Sequence, residues 1–304
     1  MFAKLKTAWN SDLVWSWRHS PVAIMATIIA VLLFVGALGA RWVAPFDPFD
    51  LTSIDLMDAL LAPAWSENGS PQYWLGTDSQ GRDLFSALLY GTRTSLLIGL
   101  ASVALSMVVG IVLGLLAGYS GGRVDAFIMR VADVQLSFPA ILIALLIDGV
   151  ARAVFPLDMH DVVAFPVLIG AIALAGWPQY ARTVRGSTLV EKNREYVQAA
   201  RVIGVSSSRI MFSHVLPNVM GPVLVLATVH LATAIITEAT LSFLGVGVPA
   251  TSPSLGTLIR IGNDFLFSGE WWITIFPGLM LVLLVLSVNL LGDWLRDALN
   301  PKLS

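Results

Sequence analysis

The sequence predicts an all-α polytopic membrane protein with six transmembrane helices, and three observations carry that prediction. The 304 residues are 56% hydrophobic and only 12% charged, and their mean hydropathy is +0.78. A soluble domain carries about 25% charged residues, and a larger core cannot make up the difference because a soluble surface still needs charge. Six apolar runs recur along the chain, each long enough to cross a bilayer. Basic residues are unequally shared between the polar segments that separate them. With the N-terminus inside, 13 Lys and Arg fall on the inner side and 5 on the outer, which follows the positive-inside rule.

Residues 1–20 mix Lys4, Lys6 and Arg18 with Trp9, Trp15 and Trp17, an interfacial amphipathic lead-in to the first span. The first span covers about 21–44. Its apolar run exceeds a signal-peptide core of about 7–15 residues, so it reads as a retained anchor. Residues 45–93 form an acidic extracytoplasmic segment broken by Pro45-Phe-Asp-Pro48 and Gly69-Ser-Pro71 turns. Within it Asp78, Arg82 and Asp83 read as bracing, since Gly76 and Gly81 mark turns beside them. Asn68-Gly-Ser70 fits a glycosylation triplet, a pattern that often arises by chance.

Residues 94–304 are read as the core domain with the other five spans. The second, about 96–117, carries Gly99, Gly110 and Gly114, which suit close helix packing in lipid. The third, about 124–155, is expected to kink at Pro139, with Arg130 and Asp133 spaced to pair on one face. The fourth covers about 162–180, the fifth about 219–244 and the sixth about 271–291, anchored by Trp271 and Trp272. Residues 245–270 read as a Gly/Pro/Ser-rich connection.

The composition also excludes chemistry. Without cysteine there is no disulfide, thiolate metal site or Cys nucleophile. No Lys follows a Gly, so a Gly-Lys-Ser/Thr phosphate loop is absent and any ATP is hydrolysed by another chain. His-Glu-x-x-His does not occur, and no catalytic residue is assigned. His160 with Asp158 and Asp161 reads as solvated loop rather than as a metal site. An ion-coupled carrier would need matched intramembrane acids in inverted repeats. Glu238, deep in the fifth span, has no counterpart in the first half. Glu238 either lines a translocation path or hydrogen-bonds a neighbouring span.

The loop 184–218 is the most informative polar stretch. Residues 187–203 favour a helix, Ala199 and Ala200 are small enough for a close approach, and Gly204 can end the helix in a left-handed conformation. Ser206, Ser207 or Ser208 can cap the next helix, and Pro217 stands at the entry to the fifth span. The product is a helix-turn-helix elbow on the cytoplasmic side.

The register Ala199-Ala200, Gly204, Leu216-Pro217 resembles the Glu-Ala-Ala loop of ABC importer permeases, with Gln198 in place of the Glu and His214 in place of an Ile. Leu75-Gly-Thr-Asp-Ser-Gln-Gly-Arg-Asp83, Tyr90-Gly-Thr-Arg-Thr-Ser-Leu96, Asp58-Ala-Leu-Leu-Ala-Pro63, Thr240-Leu-Ser-Phe-Leu-Gly245 and the tail from Gly292 to Lys302 are similar to the dipeptide/oligopeptide/nickel group, most of all to its C-type dipeptide permeases. The resemblance implies the type I importer permease fold with a coupling helix between spans four and five, in which Gln198, Ala199, Ala200, Arg201, Gly204, Val205, Ser206, Leu216 and Pro217 meet an ATPase subunit. It implies a homologous permease as partner, two cytoplasmic ATPases that bind ATP and Mg, and an extracytoplasmic peptide-binding protein. It places the chain in a bacterial inner membrane with both termini in the cytoplasm and no nucleic acid involved. Peptides are the implied cargo. Nickel or glutathione-like substrates and an ion-coupled carrier remain the alternatives.

Overall fold

The computed structural model describes residues 12–50, 54–249 and 251–298, and most of these are helical, with no strand among them. The lead-in residues Lys4, Lys6 and Trp9 and the tail residues Asn300 to Lys302 lie outside the described set. Helix α1 (Asp12–Arg18) leads into α2 (Pro21–Leu38). Ser20 caps α2 by accepting from the Ala23 amide, and Pro21 supplies a preset first turn. Then follow α3 (Leu84–Ser120), α4 (Gly122–Leu136), α5 (Ala140–Val154), α6 (His160–Glu191), α7 (Glu195–Val202), α8 (Leu216–Phe243), α9 (Leu255–Asn263) and α10 (Trp272–Ala298). Five of the helical stretches are long and apolar enough to cross a membrane, and α4 with α5 supplies a sixth if the pair is one span.

The expected third span is not one kinked helix. Its halves α4 and α5 meet at 91°. Pro139 has no N–H to continue the ladder and pushes Phe138 out of the helical region, so the chain restarts at Ala140. The break is held against α6: Gln135 Nε2 donates to the Leu174 carbonyl, and Trp177 Nε1 donates to Gln135 Oε1 at 2.8 Å. Arg130 does not pair with Asp133. Asp133 takes Arg182 of α6 instead, a partner whose distance along the chain hides it from helical spacing.

The α3–α6 joint is the spine of the fold, and small residues make it. Along one face of α3, Gly110, Gly114 and Gly118 lie against Tyr180, Ala181, Val184 and Thr188 of α6. A Cβ on Gly110 would stand 2.3 Å from Tyr180 Cβ, and one on Gly114 would stand 2.6 Å from the Ala181 carbonyl. Lipid tails give no hydrophobic drive for helix association, so backbone approach of this kind supplies the packing. Gly99 does the same against Ile235 of α8.

Two helices are longer than hydropathy indicates. α3 starts at Leu84, where the Asp83 carboxylate accepts from the Ser86 amide at 2.8 Å. α6 runs on to Glu191, well beyond its apolar part. The 245–270 connection contains α9, capped by Ser254 and buried through Leu255 and Leu258. Gly256 is pressed onto Ala239 of α8 and Gly262 onto Ile273 of α10, so these glycines serve close packing rather than turns.

The segment 54–83 braces the helix ends beside it. Asp78 and Arg82 form a buried ion pair at 2.7 Å. Tyr73 Oη donates to Asp58 at 2.8 Å, and burial together with that carboxylate pushes the phenol up to about 12. Trp272 Nε1 donates to the Thr77 carbonyl, which joins this segment to α10. His160 Nε2 is hydrogen-bonded to the Phe155 carbonyl, a local contact at the α5–α6 turn.

Candidate functional site

The elbow 192–218 is built on a fixed base. Val197 and Ala200 of α7, Ile210, Val215 and Val219 share a cluster with Leu115 of α3 and with Tyr180 and Val184 of α6. Two cations of the elbow, Lys192 and Arg201, strengthen the attachment, and Arg185 ties α6 to α4. Lys192 Nζ donates to the Gly118 carbonyl at 2.7 Å. Arg185 holds Asp125 through both nitrogens, with Nη2 at 2.6 Å. The Arg201 guanidinium lies 5.1 Å over the Tyr119 ring.

The helix expected over 187–203 is two helices. The chain leaves α6 at Glu191, turns through residues 192–194 and re-enters a helix at Glu195. Gly204 does end α7. It sits at φ +77°, with the Gly204 amide donating to Arg201 O at 3.1 Å and the Val205 amide to Ala200 O at 3.0 Å. Those two bonds close a Schellman motif. Ser206 occupies the N-cap position of the short helix Ser207–Arg209, but its side chain makes no capping bond. A π-helical segment, Ile210–Val215, then runs directly into Leu216 and Pro217 at the head of α8.

The predicted residues fall on two faces. Ala200 is buried in the chain's own core, so of the two alanines only Ala199 offers a small exposed contact. Gln198, Arg201 and Gly204 are exposed, Val205 and Leu216 are half-buried, and Pro217 is exposed. Between them stand Val202, 87% exposed, and Ile203, 78% exposed. Two large aliphatic side chains on the tip of a polar loop form an apolar knob with no cover among the described residues. The Gln198 amide donates to the Asn193 carbonyl at 3.0 Å. A carboxylate at that position could not make this bond, so the Gln secures the 192–194 turn.

Tyr196 was not singled out by sequence reasoning. Its hydroxyl donates to Glu191 Oε2 at 2.8 Å and accepts from Asn218 Nδ2 at 3.2 Å. It thereby links the end of α6, α7 and the head of α8. Burial first and Glu191 next push the phenol up, so it stays protonated and keeps donating at neutral pH. A tyrosine beside an acidic helix end was the available signal, but its partners are far away in sequence.

Glu238 is fully buried. Ser95 Oγ of α3 donates to its Oε2 and Ser242 Oγ to its Oε1, both at 2.7 Å. The Leu255 amide of α9 donates in turn to Ser95 Oγ. The carboxylate therefore joins three helices inside the packed bundle. Glutamine can keep one acceptor and offer an N–H to the other serine, so Glu238→Gln is expected to keep membrane levels and uptake within about twofold. Glu238→Ala strands both hydroxyls, at about 1–3 kcal/mol for each buried group left unpaired. Membrane levels measured by immunoblot should fall severalfold. Normal levels of the alanine variant would contradict the bundle-joining role.

Comparison with known proteins agrees with this geometry. Residues 110–304 match the family described as binding-protein-dependent transport system inner membrane component. The di/tripeptide transport system permease protein DppC of Pseudomonas aeruginosa is 42% identical over 98% of this chain and 92% of its own length. The glutathione transport system permease protein GsiD of Pectobacterium atrosepticum is 38% identical over 98% of this chain and 93% of its own length. Among solved structures, an inward-facing MetNI methionine ABC transporter superposes with a TM-score of 0.56 at 20% identity, covering 71% of this chain and 98% of the other. At that identity the likeness concerns the fold alone. A family match over most of the chain, together with relatives of this identity over nearly all of it, places the protein: it belongs to the binding-protein-dependent inner membrane transport components, the permeases of ABC importers.

Proposed function

We propose that this chain forms one side of the transmembrane path of a peptide importer and that its 192–218 elbow receives the drive from cytoplasmic ATPases. The observation that carries the reading is the Val202–Ile203 knob, held out by the Gly204 turn on a base fixed to α3 and α6. A rigid lever with an uncovered apolar tip fits insertion into a partner's groove. Gln198, Ala199, Arg201, Val205 and Ser206 surround that tip, and Leu216 and Pro217 pass its movement into α8. ATP and Mg are bound by the partner ATPases, two in the assembly, since this chain has no phosphate loop.

The remaining partners are a homologous permease that completes the path and an extracytoplasmic peptide-binding protein that delivers cargo. The excess of basic residues on one side supports a cytoplasmic elbow and cytoplasmic termini in a bacterial cell. Di- and tripeptides are the cargo class, supported by the 42% identical relative. The 38% identical glutathione permease favours a second cargo, a glutathione-like tripeptide. Proteoliposomes holding this chain with its co-encoded permease, ATPases and binding protein should take up labelled dipeptide only with ATP inside. Competition by unlabelled glutathione separates the two cargoes. ATP-independent uptake driven by an ion gradient would overturn the reading.

A further inference from the structure

The middle of the bundle holds an open cleft where α5, α6 and α8 converge, lined among others by Ala140, Gly176, Gln179, His230, Thr233 and Thr237. Gly176 lies midway along α6 and His230 midway along α8, so the cleft sits at the centre of both spans. The two residues are fitted to each other. A Cβ on Gly176 would stand 2.2 Å from His230 Cε1. The ring is also fixed by a 3.0 Å hydrogen bond between His230 Nδ1 and Tyr180 Oη.

The polar groups of the cleft are not used up by the protein. The Gln179 side-chain amide makes no hydrogen bond among the described residues and is exposed. Thr233 and Thr237 donate to the Val229 and Thr233 carbonyls, which leaves their oxygens free to accept. An amide and two hydroxyls at this depth do not face acyl chains. Such groups border the bundle interior or a water-filled cavity. The helix break ends at Pro139, next to Ala140 on the rim, and non-helical backbone within a membrane is tolerated where it lines a cavity.

The cleft wall carries no Asp, Glu, Lys or Arg. Glu238, the acid of this span, is turned away into its serine contacts. A neutral wall of donors and acceptors matches the amide groups of a peptide backbone rather than its charged ends. We propose that this cleft contacts the backbone of the peptide in transit, through the Gln179 amide and the Thr233 and Thr237 hydroxyls. Neutral contacts also suit passage, because a charge-assisted pair with the wall would hold the cargo more strongly than a neutral hydrogen bond. The inference rests on the peptide-importer reading above.

The sequence contains no cysteine, so single cysteines report without background from this chain. Gln179→Cys, Thr237→Cys and, on the periphery of the bundle, Leu32→Cys are placed in the complete transporter in proteoliposomes. A charged methanethiosulfonate reagent is added, and modification of this chain is read by mass spectrometry. The two cleft positions should react about tenfold faster than Leu32→Cys, because the reactive thiolate forms in water. Saturating transported dipeptide should slow them about threefold or more, and Gln179→Ala should raise the KM for uptake by about three- to tenfold with kcat little changed. If the wild-type transporter moves no peptide, the importer reading fails. If it does and the cleft cysteines react no faster than Leu32→Cys, or react equally with and without peptide, the cleft proposal alone is overturned.

Discussion

Replacing Gly204 by glutamate or valine is expected to abolish uptake and to detach the ATPases while leaving the protein in the membrane. At φ +77° an L residue costs about 1–2 kcal/mol, and a β-branched one more. No atom lies within 4 Å of a Cβ built there, so the effect arises from backbone strain and from the space a partner would occupy. The strain opens the Schellman bonds from the Gly204 and Val205 amides and swings the Val202–Ile203 knob away from its position. Gly204→Ala adds the least bulk and should retain part of the activity. Co-purification of the ATPases with the tagged permease measures the result, and a full complement on the glutamate variant would contradict the docking role.

Gly114→Leu should remove the protein from the membrane altogether. The α3–α6 joint closes on Gly114 at 2.6 Å from the Ala181 carbonyl and 2.8 Å from Val184 Cβ, measured to an added Cβ. Neither contact is the end of a flexible side chain, so the helices must separate, and an overpacked core commonly loses about 1–3 kcal/mol or more. The separation would also strip support from Tyr180 and from the elbow cluster above it. Gly186 of the same α6 has nothing within 4 Å of its Cβ position, so Gly186→Ala is the control and should be near neutral. Immunoblots of membranes carrying the two variants check the contrast, and equal levels would show that the close approach is dispensable.

Much of the helical architecture is legible in the sequence because the bilayer imposes a minimum length on each apolar span. Hydropathy marks the apolar part of a helix and not its ends. It therefore missed residues 84–95 of α3 and 181–191 of α6, whose limits are set by Asp83 and by the turn at Lys192. It also missed α9, since Gly256 and Gly262 look like loop residues until Ala239 and Ile273 are seen against them. Spacing located Gly204 correctly because a left-handed residue is a local requirement. It could not show that Ala200 faces inward, that Asp133 is held by Arg182, or that Tyr196 links α6 to α8, because each depends on a partner distant in sequence. The π segment 210–215 carries no sequence signal of its own.

Photocrosslinking tests the central claim most directly. A benzoylphenylalanine at Val202, the most exposed point of the knob, is irradiated in an assembled transporter that takes up peptide. The account predicts an adduct of this chain with an ATPase subunit, and none from the same probe at Leu32 on α2. A transporting complex in which the Val202 probe captures no ATPase would contradict it.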